Sequence, residues 1–102
     1  MIQLHVTTDK DNIIPIIQSA IEAKIRRTEI GLRKTEQEIR KFETRYRVLS
    51  ERFLAEYAAE DLEGGDDDYV SWMGEIQLRQ SLVEELQALR EIEYVPQRIT
   101  QH

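Results

Sequence analysis

The chain has 102 residues, 33% of them charged and 40% hydrophobic, a formal net charge of −6 and no cysteine. That length suits one domain at most, and the absence of thiols excludes disulfides and thiolate metal sites, in keeping with a reducing compartment. No stretch approaches the roughly 18 apolar residues of a membrane span, and the start MIQLHVTTDKDN has no signal-peptide core, so a soluble cytoplasmic protein is expected.

Charge is divided unevenly. Residues 1–59 carry 11 Lys/Arg against 9 Asp/Glu, and residues 60–102 carry 3 against 11. A +2 half and a −8 half attract each other, within one chain or between chains.

The first six residues alternate Ile2, Leu4 and Val6 with polar neighbours, the period of a half-buried strand. So short a strand needs a partner or stays an arm, which sets residues 1–11 apart. Asp11 or Asn12 can then cap a helix, with Pro15 tolerated in its first turn.

From Ile14 the apolar positions step by threes and fours: Ile14, Ile17, Ile21, Ile25, Leu32, Ile39, Phe42, Tyr46, Leu49 and Phe53, with Thr28 and Thr35 completing the seam. Gly31 is the sole breaker between residues 16 and 59, which predicts one long helix over 12–59. Ser50 could cap a fresh helix after a bend at 47–50, so a two-piece version stays open. Thr28, Gly31 and Thr35 are small and three to four apart, either a place for another helix to approach closely or a weak stretch of core.

EDLEGGDDDYVSW is the clear break. Gly64 and Gly65 suit a helix end in a loop over 60–68, and Asp66, Asp67 and Asp68 suit the N-cap and positive end of the next helix. That second helix is expected over 69–94, with Trp72, Met73, Ile76, Val83, Leu86 and Leu89 on its apolar face, Pro96 as its stop and a tail over 95–102. The expected fold class is all-α: an antiparallel helical hairpin with a long and a shorter helix, completed by dimerisation into a bundle.

The hairpin core is then Ile39, Phe42, Tyr46, Leu49, Phe53, Trp72, Ile76, Val83, Leu86 and Leu89, with Trp72 packing on Phe53 or Tyr57. The shorter helix would cover only residues 35–59 of the longer one. Ile14, Ile17, Ile21, Ile25, Thr28, Gly31, Leu32 and Thr35 would be left as an oligomer or partner interface, because an apolar strip of that length rarely faces water.

With Ile25 at heptad position a, Arg26, Arg33, Arg40 and Arg47 form one column, each four residues after Glu22, Glu29, Glu36 and Glu43. That is the favourable order for ion pairs of about 0.2–0.5 kcal/mol each. The column therefore reads as a solvated, helix-stabilising ladder, with docking on an acidic segment of its own or a partner's chain as the alternative, and nucleic-acid binding is disfavoured. His5 and His102 are the only histidines, and no zinc spacing, phosphate loop or catalytic Ser/His/Asp set is present. No catalytic, cofactor or metal site is expected. The Asp66–Asp68 run lacks the alternating ligands of a calcium loop.

Within residues 39–76 stand Phe42, Glu43, Arg45, Tyr46, Ser50, Phe53, Asp67, Asp68 and Trp72. This order (Phe-Glu-x-basic-Tyr, then Ser, Phe and an acidic pair shortly before Trp) resembles small helical proteins of bacteria and archaea encoded beside toxin-like genes. Those proteins are read as the antitoxin partners of type II toxin–antitoxin pairs. The resemblance covers about 40 residues and implies an interaction role, the binding of a co-encoded toxin, while the uncovered seam and the lack of catalytic sets give the expectation of a non-catalytic homodimer. Such proteins usually carry Gly after the Tyr, marking a break. This chain has Arg47, which leaves either a bend or an unbroken helix. Two alternatives are a structural coiled-coil homo-oligomer with no toxin, and an operon-regulating DNA-binding protein. For the second, the start resembles a ribbon-helix-helix but has no turn at the required place.

Overall fold

The structure is a computed structural model and describes residues 1–7, 10, 12–57 and 66–97. In chain order it holds strand β1 (Ile2–Thr7), helix α1 (Ile13–Tyr46), helix α2 (Ser50–Glu56), helix α3 (Asp66–Arg90) and strand β2 (Ile92–Gln97). The two-helix, all-α hairpin is thereby overturned. Among the described residues there are three helices, and the two ends of the described chain form a two-stranded parallel sheet.

The first departure lies at Arg47. Its backbone is left-handed (φ 55°, ψ 42°) and its N–H bonds back to the Glu43 carbonyl, which also accepts from the Val48 N–H at 3.2 Å. This is a helix-ending arrangement that glycine usually provides. The 12–59 helix is thus two helices. Leu49, expected in the seam, precedes α2 and is 67% exposed, because the turn rotates it off the face that Tyr46 and Phe53 share. Ser50 is the first residue of α2 and not its cap.

With α1 ending at Tyr46, α3 starts beside Arg45 and Tyr46 and runs back along α1, as the pairs Arg45–Asp68, Lys24–Glu85 and Glu29–Arg90 show. It therefore lies against residues 24–46, not 35–59. Thr28 and Thr35 are buried and Leu32 is half-buried, and a Cβ built on Gly31 would stand 3.7 Å from Leu82 Cδ1. The Thr28 hydroxyl donates to the Lys24 carbonyl at 2.8 Å, so its burial leaves no polar atom unpaired. The chain's own third helix occupies the small-residue stretch.

The second departure is the end of α3. The second helix was expected to reach residue 94, but it stops at Arg90, and Ile92–Gln97 is strand. In the parallel register Ile2 lies beside Ile92, Leu4 beside Tyr94 and Val6 beside Pro96. Period-two alternation puts those six side chains on one face, with Gln3, His5, Thr7, Glu93, Val95 and Gln97 on the other. The Ile2 N–H donates to the Glu91 carbonyl at 3.2 Å, and the Gln97 amide lies 2.9 Å from His5 Nδ1. Pro96, which has no N–H to give a ladder, stands near the end of an edge strand.

Asn12 precedes α1 without a side-chain cap bond. The capping role considered for Asp11, the Gly64–Gly65 loop and residues 98–102 lie outside the described residues.

Candidate functional site

The core gathers where α1, α2 and α3 meet. Ile39, Phe53, Trp72 and Ile76 are buried together, with Phe42, Tyr46, Val48, Tyr57, Tyr69 and Met73 packed around them. Trp72 stacks on Phe53 with ring centres 3.9 Å apart and planes 7° apart, and also on Phe42 at 5.7 Å and Tyr46 at 5.9 Å. Four-residue spacing places Phe42 and Tyr46 on one face of α1, while the turn at Arg47 returns α2 so that Phe53 covers the indole. Aromatic pairs of this kind contribute about 0.5–1.5 kcal/mol each beyond the area they bury.

Polar groups close the cluster. The indole Nε1–H of Trp72 donates to Ser50 Oγ at 3.0 Å, and the Ser50 hydroxyl donates to Glu43 Oε2 at 2.8 Å. The Ser50 backbone N–H donates to the same oxygen at 2.9 Å. Glu43 therefore ends α1 through its carbonyl and starts α2 through its carboxylate, serving an N–H that the short helix leaves unpaired. Ser50 is 1% exposed and its oxygen already accepts from Trp72, so this Ser–carboxylate pair is closed to a substrate.

One helical turn away, Asp68 accepts from Arg45 Nη1 at 2.7 Å and from the Tyr46 hydroxyl. The Tyr46 bond and then the Arg45 guanidinium hold the Asp68 carboxyl below its usual range. Reciprocally, Asp68 raises the pKa of both the Tyr46 phenol and the Arg45 guanidinium. Asp66, Asp67 and Asp68 fill the first turn of α3, a favourable place for negative charge, and Asp68 turns its carboxylate toward α1.

Of the other expected positions, Leu86 is buried and Val83 and Leu89 are half-buried along α3. Ile14, Ile17, Ile21 and Ile25 are half-buried on α1. Eight of the nine residues that carry the family resemblance meet around Trp72 or in the Arg45–Tyr46–Asp68 group. The ninth, Asp67, is exposed beside them. Sequence reasoning missed the role of the half-buried Glu43, whose single signal was Ser50 seven residues on, and the strand at 92–97, whose signal was the alternation of Ile92, Tyr94 and Pro96.

The expected ladder does not form. Among the described residues the ion pairs are Lys24–Glu85, Glu38–Lys41, Arg45–Asp68, Arg52–Glu56 and Glu29–Arg90. Glu29 and Glu43, which were to pair with Arg33 and Arg47, are engaged by Arg90 and Ser50. Also among the described residues, no group of three His, Cys, Asp or Glu side chains could hold a metal ion, and no helix is long and apolar enough to cross a membrane. Comparison with known proteins finds no matching family model, no matching curated protein and no matching solved structure.

Proposed function

We propose that the chain is a non-catalytic protein-binding module of antitoxin-like character, which pairs with itself and engages a toxin-like protein encoded beside it. The observation that supports this reading is a surplus of surface. A compact monomer of this mass exposes about 6,000 Å², and this chain exposes 7721 Å². Its radius of gyration is 20.6 Å over a body of 73 × 20 × 17 Å, against about 13 Å for a compact domain of the same length. Large apolar side chains stand on that surface, among them Ile16, Ile30, Leu54, Val70 and Leu78. A rod one helix pair thick gains stability and shape by lying along another protein, which would also cover apolar side chains of this kind.

The test is co-expression with the product of the adjacent gene. A stable complex with defined stoichiometry is expected from capture of the tagged chain. A chain that stays alone beside that protein at micromolar concentration ends the antitoxin reading. Light scattering on the isolated chain, expected to give twice the monomer mass, tests the self-pairing separately.

A further inference from the structure

The outward side of α1 carries a stripe that the core does not use. Around the helix, Arg26, Arg33 and Arg40 form one edge, Arg27, Lys34 and Lys41 the other, and Ile30, Gln37 and Thr44 the line between them. All nine are exposed and none is acidic. Of the six cations, Lys41 alone makes an ion pair among the described residues, with Glu38. The neighbouring glutamates 29, 36, 38 and 43 are half-buried at the flanks. Ile30 is 57% exposed in the middle line, and a shallow trough of about 480 Å³ lies at Gln37, Arg40, Lys41, Thr44 and Arg45. The stripe is about 27 Å long.

We propose that this stripe is the docking surface for an acidic helix of a partner protein, with Ile30 packing against an apolar residue at the centre of the contact. The inference rests on the protein-binding reading above and names the face through which it operates. Two cationic edges about a helix-width apart match a helix that presents carboxylates on either side of an apolar line, and arginine is enriched at interfaces and in their hot spots.

Charge selects this occupant over two others. Without the six cations the rest of the chain carries −12. A nucleic acid longer than the stripe runs past its six cations along a chain that is otherwise strongly acidic, whereas a short acidic helix stays within about one Debye length, roughly 8 Å, of the cations. The stripe also has no aromatic ring on which a base could stack. A second copy cannot lay its own stripe on this one, because like charges would face each other. The stripe lies opposite the α1 residues Thr28, Thr35 and Ile39 that are buried on the α3 side, so pairing it with the outer side of a second copy's α3 would join opposite faces of the rod, head-to-tail, and would not close into a dimer.

The probe is a synthetic 28-residue helical peptide of Ala, Leu and Glu with two Glu columns flanking a Leu column, titrated by fluorescence anisotropy at low and at physiological salt. Two variants are compared, Arg33→Gln/Arg40→Gln in the stripe and Gln77→Glu/Ser81→Glu on the exposed face of α3. Each lowers the net charge by two, and circular dichroism establishes that both remain helical. Saturable, salt-sensitive binding that falls at least tenfold in the stripe variant and less than twofold in the α3 variant supports the proposal. No binding at low salt, or equal loss in both variants, overturns it. So does tighter binding of a 24-base-pair DNA duplex than of the peptide, or self-association that the stripe variant abolishes. Co-purification with the neighbouring gene product separates the two readings. A neighbour that binds the stripe variant undiminished removes this face and leaves the function standing. Peptide binding without a neighbour complex keeps the face and counts against the antitoxin role.

Discussion

Ser50 holds more of the molecule together than its size suggests. Removing its hydroxyl leaves the Trp72 N–H without an acceptor in a site where both residues are almost fully buried. Ser50→Ala is expected to lower unfolding free energy by about 1–3 kcal/mol, read from urea denaturation. At the edge of the same cluster, the depressed Asp68 carboxyl makes its contribution above the ordinary carboxylate range, and that contribution is lost as pH falls through its lowered folded value. Wild type should therefore lose more stability than Asp68→Asn between neutrality and about pH 3. The raised Tyr46 phenol acts with the opposite sign, contributing at neutral pH and failing as the medium becomes strongly alkaline. The aromatic members of the site were legible because bulky rings at helical spacing have few places to go but inward. Glu43 was not legible, since a glutamate four residues before an arginine looks the same whether it pairs with that arginine or turns under the next helix.

At the scale of elements, the break after α1 is written in an unhelpful residue. A left-handed non-glycine costs about 1–2 kcal/mol, of which glycine's greater freedom in the unfolded chain returns about half. Arg47→Gly should raise the urea midpoint by the equivalent of about 0.5–1 kcal/mol, unlike most changes to a helical arginine. Two glycines inside helices behave differently. Nothing lies within 4 Å of a Cβ placed on Gly74, so Gly74→Ala should stabilise by about 0.5–1 kcal/mol. Gly31 faces Leu82, so alanine fits there, while Gly31→Leu should overpack the α1–α3 contact and cost about 1–3 kcal/mol by the same measurement. Helix identity and the face of α1 that meets α3 were legible from the three-and-four spacing. The strand at 92–97 was hidden because Ile92 and Tyr94 also extend a helical pattern, and only the pairing with residues 2–7 decides between the two.

For the whole molecule, small-angle scattering of a dilute monomer should return a radius of gyration near 20.6 Å, and a value near 13 Å would mean that the rod folds on itself. The overhang inferred from helix lengths was half legible. The first helix is longer than the third, 34 residues against 25, but α2 turns back so that α3 starts beside Arg45 and Tyr46. The parallel pairing of β1 with β2 has a consequence for synthesis. Ile2 must wait for Ile92, and at about 5–20 residues per second roughly 5–18 s separate the synthesis of the two. Through that interval α1 can form while the strand ahead of it offers an unmatched row of backbone donors and acceptors to any nascent neighbour. Closure of this fold therefore waits until residue 92 has been made, and a chain stalled before it would be a different, more adhesive molecule.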